Sequence, residues 1–397
     1  MKNKESKPVF KLWETILIAF VSSLIMSTST GYLVYTSNKV PKNNNSKELN
    51  ELITSYNNIV NNYYDEIDQN ALVDAAINGM LKYLGDPYTT YLNENNTNLL
   101  NDSLNGSYEG IGVEVTENDN GEIIIVKVFD ESPALRVGLQ AGDIIIKVDD
   151  TDLTDKDHYD AVEAIKNNKS GEIKLTVKRK DEVKEFVVNK TTLYVPAVYK
   201  EIFNINDKRI GYILIDKFSD TVFEQFHREL VSLEESKIDS IIIDLRNNTG
   251  GYLTGATSIA ELFIQKGKII YSLESKLSKE DTLDETDEYR SYPMMVLINK
   301  GSASAAEVLA AAFKYSYNAT LVGVKTYGKG KVQRTTQLND GTMYKYTSAK
   351  WLTPKGDCVD EVGLAPDIEV NLSEEYAKNP SFENDNQVQT AIYELSK

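Results

Sequence analysis

The rhythm of apolar positions changes several times along the chain, and each rhythm predicts a different structure. Thr15 to Tyr35 carries no charge over 21 residues and is rich in Ile, Leu, Val and Ala. At about 1.5 Å of rise per residue, a helix of that length spans roughly 30 Å of hydrocarbon. Lys2, Lys4, Lys7 and Lys11 precede it, so the positive-inside tendency places residues 1–14 in the cytoplasm and everything after the span outside. The stretch is longer than the apolar region of a cleaved signal peptide and lacks an Ala-x-Ala site. We therefore expect 15–35 to be a retained single-pass signal anchor in the cell membrane, with the body of the chain extracytoplasmic.

Residues 36–47 are polar, contain Pro41, and predict a linker. Leu49, Leu52, Ile53, Tyr56, Ile59, Val60 and Tyr63 then recur at helical spacing, and Ala71 to Leu84 repeats the pattern after Asp68. This predicts a helical region over 48–104, interrupted by the breaker Gly85-Asp86-Pro87. From 105 to 190 the rhythm is that of short strands, such as Ile123 to Val128 and Ile144 to Val148, with one helical stretch from Asp157 to Asn167. Over 191–375 strands and helices alternate, which predicts a layered α/β core with largely buried strands. The β-rich module is then an insertion between the helical region and this core. Ser272 to Arg290 is charged and predicts a solvent-facing loop, and a helical tail closes the chain over 376–397.

Composition narrows the chemistry. The 397 residues carry a net charge of -17 without a block of Lys or Arg, so the electrostatic footprint that phosphate backbones require is missing and no nucleic-acid partner is expected. The lone cysteine, Cys358, rules out an internal disulfide framework or a multi-cysteine zinc site. Only His158 and His227 are available for a histidine-based triad or metal site, and neither is associated with a motif that would place it. No cofactor or metal is expected.

Three segments of the α/β core carry the candidate chemistry: Asp244-Leu245-Arg246-Asn247-Asn248-Thr249-Gly250-Gly251, Gly301-Ser302-Ala303-Ser304-Ala305-Ala306-Glu307, and Thr326-Tyr327-Gly328-Lys329-Gly330-Lys331-Val332-Gln333. Ser304 follows the apolar strand Met294 to Asn299 and opens an Ala-rich helix, a turn that projects a hydroxyl beside free backbone N–H groups. A serine at such a turn often only caps the helix. A hydroxyl needs a base to become a nucleophile, and a lysine serves if burial or a nearby cation lowers its pKa from about 10.4. Lys329, between two glycines, is the candidate. Lys325 and Lys331 are expected to be solvated surface charges. Gly250-Gly251 is either an ordinary turn closing a β–α connection or a source of a bare backbone N–H. Asp244, Arg246 and Glu307 are expected to hold loops together rather than to perform chemistry.

In order and spacing the three segments resemble the carboxy-terminal processing peptidases, or tail-specific proteases, over about Tyr56 to Asp367. The resemblance implies a crotonase-like or ClpP-like peptidase core and a serine endopeptidase. It also implies Ser304 as nucleophile, Lys329 as general base, Gln333 as the residue orienting the lysine amine, and Gly250 with the amide of Ala305 as oxyanion hole. Within 105–190, Tyr108-Glu109-Gly110-Ile111-Gly112-Val113-Glu114-Val115, Ser132-Pro133-Ala134 and Gly142-Asp143-Ile144-Ile145 resemble a PDZ domain. Consecutive backbone N–H groups at the glycines would hold the terminal carboxylate of a protein or peptide substrate, added as a strand beside Val113. Its last side chain would enter a pocket formed by Ile111, Val113, Val162 and Ile165, which favours apolar C-termini. The alternatives are a PDZ-type binding or scaffold protein with a silent peptidase core, and a crotonase-like small-molecule enzyme. Tyr56, Tyr63, Tyr64 and their apolar neighbours exceed what one short helix pair buries, which suggests a homodimer through that region.

Overall fold

A computed structural model describes residues 46–118, 120–338 and 341–397. The span expected at 15–35 lies outside them; among the described residues no helix is long and apolar enough to cross a membrane. The chain divides into two compact units, 1–77 and 78–397. In the first, Ser46 caps α1 (Lys47–Asn62) by accepting from the Leu49 amide. The Asp68 carboxylate accepts from Asn70 and Ala71 at the start of α2 (Gln69–Tyr83). Both caps satisfy amides that a helix start leaves without a partner. No residue of α1 is buried, and Leu49, Leu52, Ile53 and Ile59 stay exposed at helical spacing.

In the second unit β1 (Thr90–Leu92) and α3 (Glu94–Asn105) lead into the inserted module. The module is entered by β2 (Ser107–Gly110) and left by β9 (Thr191–Tyr194), and these two strands pair with each other. Between them β3 (Val113–Glu117), β4 (Ile123–Val128), β5 (Ile144–Val148), β6 (Thr151–Asp152), β7 (Glu172–Arg179) and β8 (Glu182–Asn189) form one antiparallel sheet, with β3 at an edge. The short α4 (Pro133–Val137) and α5 (His158–Asn167) complete the module. Its own core includes Ile125, Ile145, Leu175 and Val177.

The remaining strands build two more sheets. The first runs in the order β10 (Val198–Ile205), β11 (Lys208–Ile215), β12 (Ser240–Asp244), β15 (Met294–Ile298), β16 (Thr320–Gly323), β19 (Ile368–Glu369), parallel from β11 onward. Successive side chains on a strand point to opposite faces, and here both faces are buried. Ile241, Ile243, Val296 and Leu321 pack against α6 (Val222–Glu235), α7 (Leu253–Glu261) and α8 (Ala305–Ala312). Ile242, Leu297 and Val322 pack against Val388, Ala391, Ile392 and Leu395 of α10 (Asn386–Ser396), which follows the short α9 (Glu374–Lys378). This is why the strands read as continuous apolar runs. Helix α8 is entirely buried and touches β13 (Ile269–Ser275) of the second sheet. Its alanines allow that close approach.

The second sheet differs from the expectation. Ser272 to Arg290 is not simply a loop: most of it belongs to the hairpin of β13 and β14 (Lys279–Leu283). The buried positions Ile270 and Tyr271 anchor the hairpin, and the charges of Lys279-Glu280-Asp281 sit on an edge strand, where they discourage further pairing. The neighbouring β17 (Lys331–Gln337) and β18 (Met343–Leu352) have no counterpart in the sequence reading. Their half-exposed polar residues lack the apolar alternation that marks a strand.

A buried ionic cluster joins the end of β12 to the C-terminal segment. Arg246 pairs with Asp244 at 2.5 Å and with Asp385 at 2.8 Å, and its Nη1 also donates to Gln387. The Tyr212 hydroxyl donates to Asp244. The surrounding carboxylates hold the guanidinium well above its ordinary pKa despite burial, so Asp244 and Arg246 hold loops together. Arg246→Met leaves two buried carboxylates without their cation and should cost about 3–5 kcal/mol of stability. Urea unfolding followed by circular dichroism checks this, and an unchanged midpoint would contradict the cluster's structural role.

Candidate active site

Ser304 stands between β15 and α8 with φ 56° and ψ -120°. An L-residue with positive φ is sterically strained, by roughly 1–3 kcal/mol, and such a strand-to-helix turn is how folds raise a nucleophile above a sheet. The turn is held from three sides. The Ser302 hydroxyl donates to Leu245 O and accepts from the Asn299 amide. Ala303 N–H donates to Asn248 O, and Ser304 N–H donates to Glu307 Oε2 at 2.9 Å. Ser302 is thereby a structural residue.

Glu307 is fully buried. Besides Ser304 N–H it accepts from Thr326 Oγ1 at 2.5 Å, Gly328 N–H at 2.8 Å and Lys329 N–H at 2.9 Å. One carboxylate therefore joins the serine turn to the lysine loop. On the other side of that loop, Trp351 Nε1 donates to Lys329 O. The flanking glycines are required by space: a Cβ at Gly330 would lie 2.6 Å from Asp360 N, and one at Gly328 would lie 2.9 Å from Gly363 N.

Ser304, Lys329 and Gln333 line one cavity of about 390 Å³. Lys329 Nζ lies 5.0 Å from the centre of the Tyr88 ring. Burial, and then the like charge of Lys345, depress the Lys329 pKa, against the opposing pull of Glu307 and Asp86. Among the described residues no hydrogen bond joins Ser304 Oγ, Lys329 Nζ and Gln333. The Gln333 amide nitrogen instead donates to Lys331 O and Thr347 Oγ1, and Thr347 donates to Asp86. Lys329 precedes β17, so strand alternation does not relate it to Gln333, and a β-bulge at Ser348 of β18 lies opposite Val332 and Gln333.

The two expected oxyanion donors flank the serine. A Cβ on Gly250 would lie 2.8 Å from Ser304 Cβ and 3.1 Å from Ala305 N, so only glycine fits there. The Ala305 amide is the first of its helix and has no carbonyl within the helix to receive it. The Gly250 amide is engaged, donating to Asn248 Oδ1 at 2.8 Å.

Sequence reading missed several neighbours. Lys331 is not a solvated surface charge: it lines the cavity and lies 3.8 Å from Asp86 and 3.7 Å from Asp360. Asp86 and Tyr88 sit at a breaker read only as punctuation, and Thr347 and Lys345 come from the unforeseen β18. Neither histidine lines the cavity, and His158 contacts Glu117 in the inserted module.

In that module all six expected peptide-binding residues, Gly110, Ile111, Gly112, Val113, Val162 and Ile165, line a second cavity of about 380 Å³. It lies between the edge strand β3 and α5. Gly112 has φ 83°, and a Cβ there would collide with Ser132. Helix α3 walls both cavities: Asp102 and Ser103 face the second, and Leu100, Asn101 and Leu104 face the first.

Comparison with known proteins agrees with this geometry. Residues 209–370 match the Peptidase family S41, residues 101–178 the PDZ domain, and residues 21–96 the Activating protease CtpB N-terminal domain. The carboxy-terminal processing protease CtpA of Bacillus subtilis is 36% identical over 382 residues, covering 96% of this chain and 81% of that protein. CtpB of the same organism is 34% identical over 337 residues, covering 84% and 70%. A solved photosystem II D1 C-terminal processing protease shares the fold, with a TM-score of 0.51 at 21% identity over 87% of this chain and 93% of that one. With identity of this extent across the peptidase core and the PDZ module alike, the chain belongs to the carboxy-terminal processing proteases, a family of serine-type peptidases.

Proposed function

We propose that Ser304 is the nucleophile and Lys329 the general base of this protease. The observation that carries the reading is that a strained serine turn and a lysine of depressed pKa line one cavity and are tied to the same buried carboxylate, Glu307. Neutral Lys329 takes the Ser304 hydroxyl proton as Oγ attacks the peptide carbonyl carbon. The oxyanion of the adduct is met by the amides of Ala305 and Gly250, the latter exchanging its bond to Asn248 Oδ1 for the substrate oxygen. On collapse the ammonium returns the proton to the leaving amine, and a water activated by the same amine hydrolyses the acyl-enzyme. Gln333 steadies the amine once its side chain turns from Lys331 O. No metal or organic cofactor enters these steps.

The PDZ groove supplies the substrate. An extended C-terminus adds beside β3, its carboxylate on the Gly110–Gly112 loop and its last side chain between Val162 and Ile165. The mostly apolar lining supports a preference for apolar termini. Because α3 walls both cavities, occupation of the groove can be felt at the catalytic one.

For the N-terminus, the apolar 15–35 segment after four lysines supports a single-pass anchor with the catalytic part outside the cell membrane. The exposed apolar positions of α1 support a homodimer through that region. One detergent-extracted preparation tests both readings. N-terminal sequencing should recover residues upstream of 15, and light scattering should give twice the chain mass. A mature start near residue 30, or a monomer, counts against the respective reading.

Protein lacking residues 1–40 should cleave casein or a tailed reporter, whereas Ser304→Ala and Lys329→Ala should lose at least about a thousandfold in kcat/KM. Retained cleavage by either variant would falsify the assignment. The active base is the neutral amine, so kcat/KM should rise with pH through the Lys329 pKa. Because that pKa is lowered, the plateau is reached below the value of about 10.4 of a free lysine.

Glu307 acts on the reaction through other groups, as a positioning residue. Glu307→Gln places an amide N–H₂ against donors that need an acceptor, and should lower kcat by more than about tenfold. It also removes a negative charge that raises the Lys329 pKa, so the acid limb of the remaining activity should move to lower pH. A limb that stays in place would reduce Glu307 to a purely structural tie.

A further inference from the structure

The catalytic cavity is an island of positive charge in an acidic chain. Asp and Glu outnumber Lys and Arg by 60 to 43 overall, yet among the described residues three lysines and no carboxylate line this cavity. Two of the lysines are accounted for. Lys329 is the base, and Lys331 lies between Asp86 and Asp360, which neutralise it from behind.

Lys345 is the third, and no carboxylate among the described residues pairs with it. Strand register builds it into the wall. It lies directly across from Thr335 of β17, another lining residue, and alternates with Tyr344 so that Met343 and Lys345 share the cavity face. Leu100, Leu104, Leu253, Val332 and Met343 supply apolar surface around it. A charge in such surroundings attracts a partner more strongly than one in bulk water, and a cleft of one sign concentrates ligands of the other.

We propose that Lys345 is a specificity-determining residue that takes the carboxylate of an Asp or Glu side chain flanking the scissile bond of the substrate chain. This rests on the assignment of the cavity as the site of cleavage.

Internally quenched peptides with one apolar C-terminus, differing by Glu or Gln at single positions beside the cleaved bond, test the proposal. The intact protein should prefer Glu over Gln at one such position by about tenfold in kcat/KM. Lys345→Gln should bring that ratio close to one, and Lys345→Arg should keep it. Taking the ratio within each variant cancels any change in its overall rate. Binding of the same peptides to Ser304→Ala and to Ser304→Ala with Lys345→Gln, by fluorescence anisotropy, reads the preference without cleavage, so a failure of the serine assignment is separable from a failure of the subsite. No preference in the intact protein, or an undiminished preference in Lys345→Gln, overturns the proposal.

Discussion

A buried carboxylate that accepts from several donors at once is expensive to form and hard to rearrange, and the whole catalytic region hangs on one. Glu307 gathers the amides of Ser304, Gly328 and Lys329 and the hydroxyl of Thr326. Charge-assisted hydrogen bonds to a desolvated acceptor are among the stronger ones in a protein. They offset the strain of the positive φ at Ser304, because the amide of that residue is one of the donors. They also set the distance between two loops that arrive from different strands, one after β15 and one before β17.

The rest of the core serves this junction. The parallel sheet is buried on both faces, so the ends of β12 and β15 deliver the Asn248–Gly251 and Ser302–Ser304 segments side by side, tied through Leu245 O, Ser302 and Asn248. The cluster of Arg246 with Asp244 and Asp385 fastens the same strand end to the C-terminal segment from the opposite face. The all-alanine character of much of α8 lets the helix that follows Ser304 lie between two sheets. The second sheet then brings Lys329, Lys331, Gln333 and Lys345 to the cavity from one side.

The groove in the PDZ module is built by a different logic. Entry and exit strands pair at its base, and its sheet leaves β3 open at an edge. An edge strand is a liability in most proteins; here β3 leaves backbone groups open beside a cavity lined by Gly110, Ile111, Gly112 and Val113. The shared wall of α3 means that the two cavities are neighbours through one helix rather than through a long chain of contacts.

Local chemistry made much of this readable. Apolar runs of strand length marked β11, β12 and β15, helical spacing marked α6 and α7, and glycine-rich turns marked the Gly250 and Lys329 loops, because burial on both faces and positive φ impose residue types directly. The six groove residues were legible through the resemblance of 105–190 to a PDZ domain, and they line one cavity. What the sequence could not display was pairing between distant segments. Strand β17 and the middle of β18 are partly exposed and largely polar, so their own pattern does not mark them as strands; only the sheet explains them. Asp86 and Tyr88 lie far along the chain from Lys329, Gln333 and Thr347, and the pairing of β1 and β17 with β18 brings them together. The bulge at Ser348 opposite Gln333, the bond between the Gly250 amide and Asn248, and the role of Glu307 as the hub of four donors are likewise decided by tertiary structure. Sequence determined which residues carry reactive groups and which backbone positions must be glycine. The fold decided which of those groups share a cavity, and which charges within it already have partners, because burial and neighbouring charge are properties of a place and not of a residue.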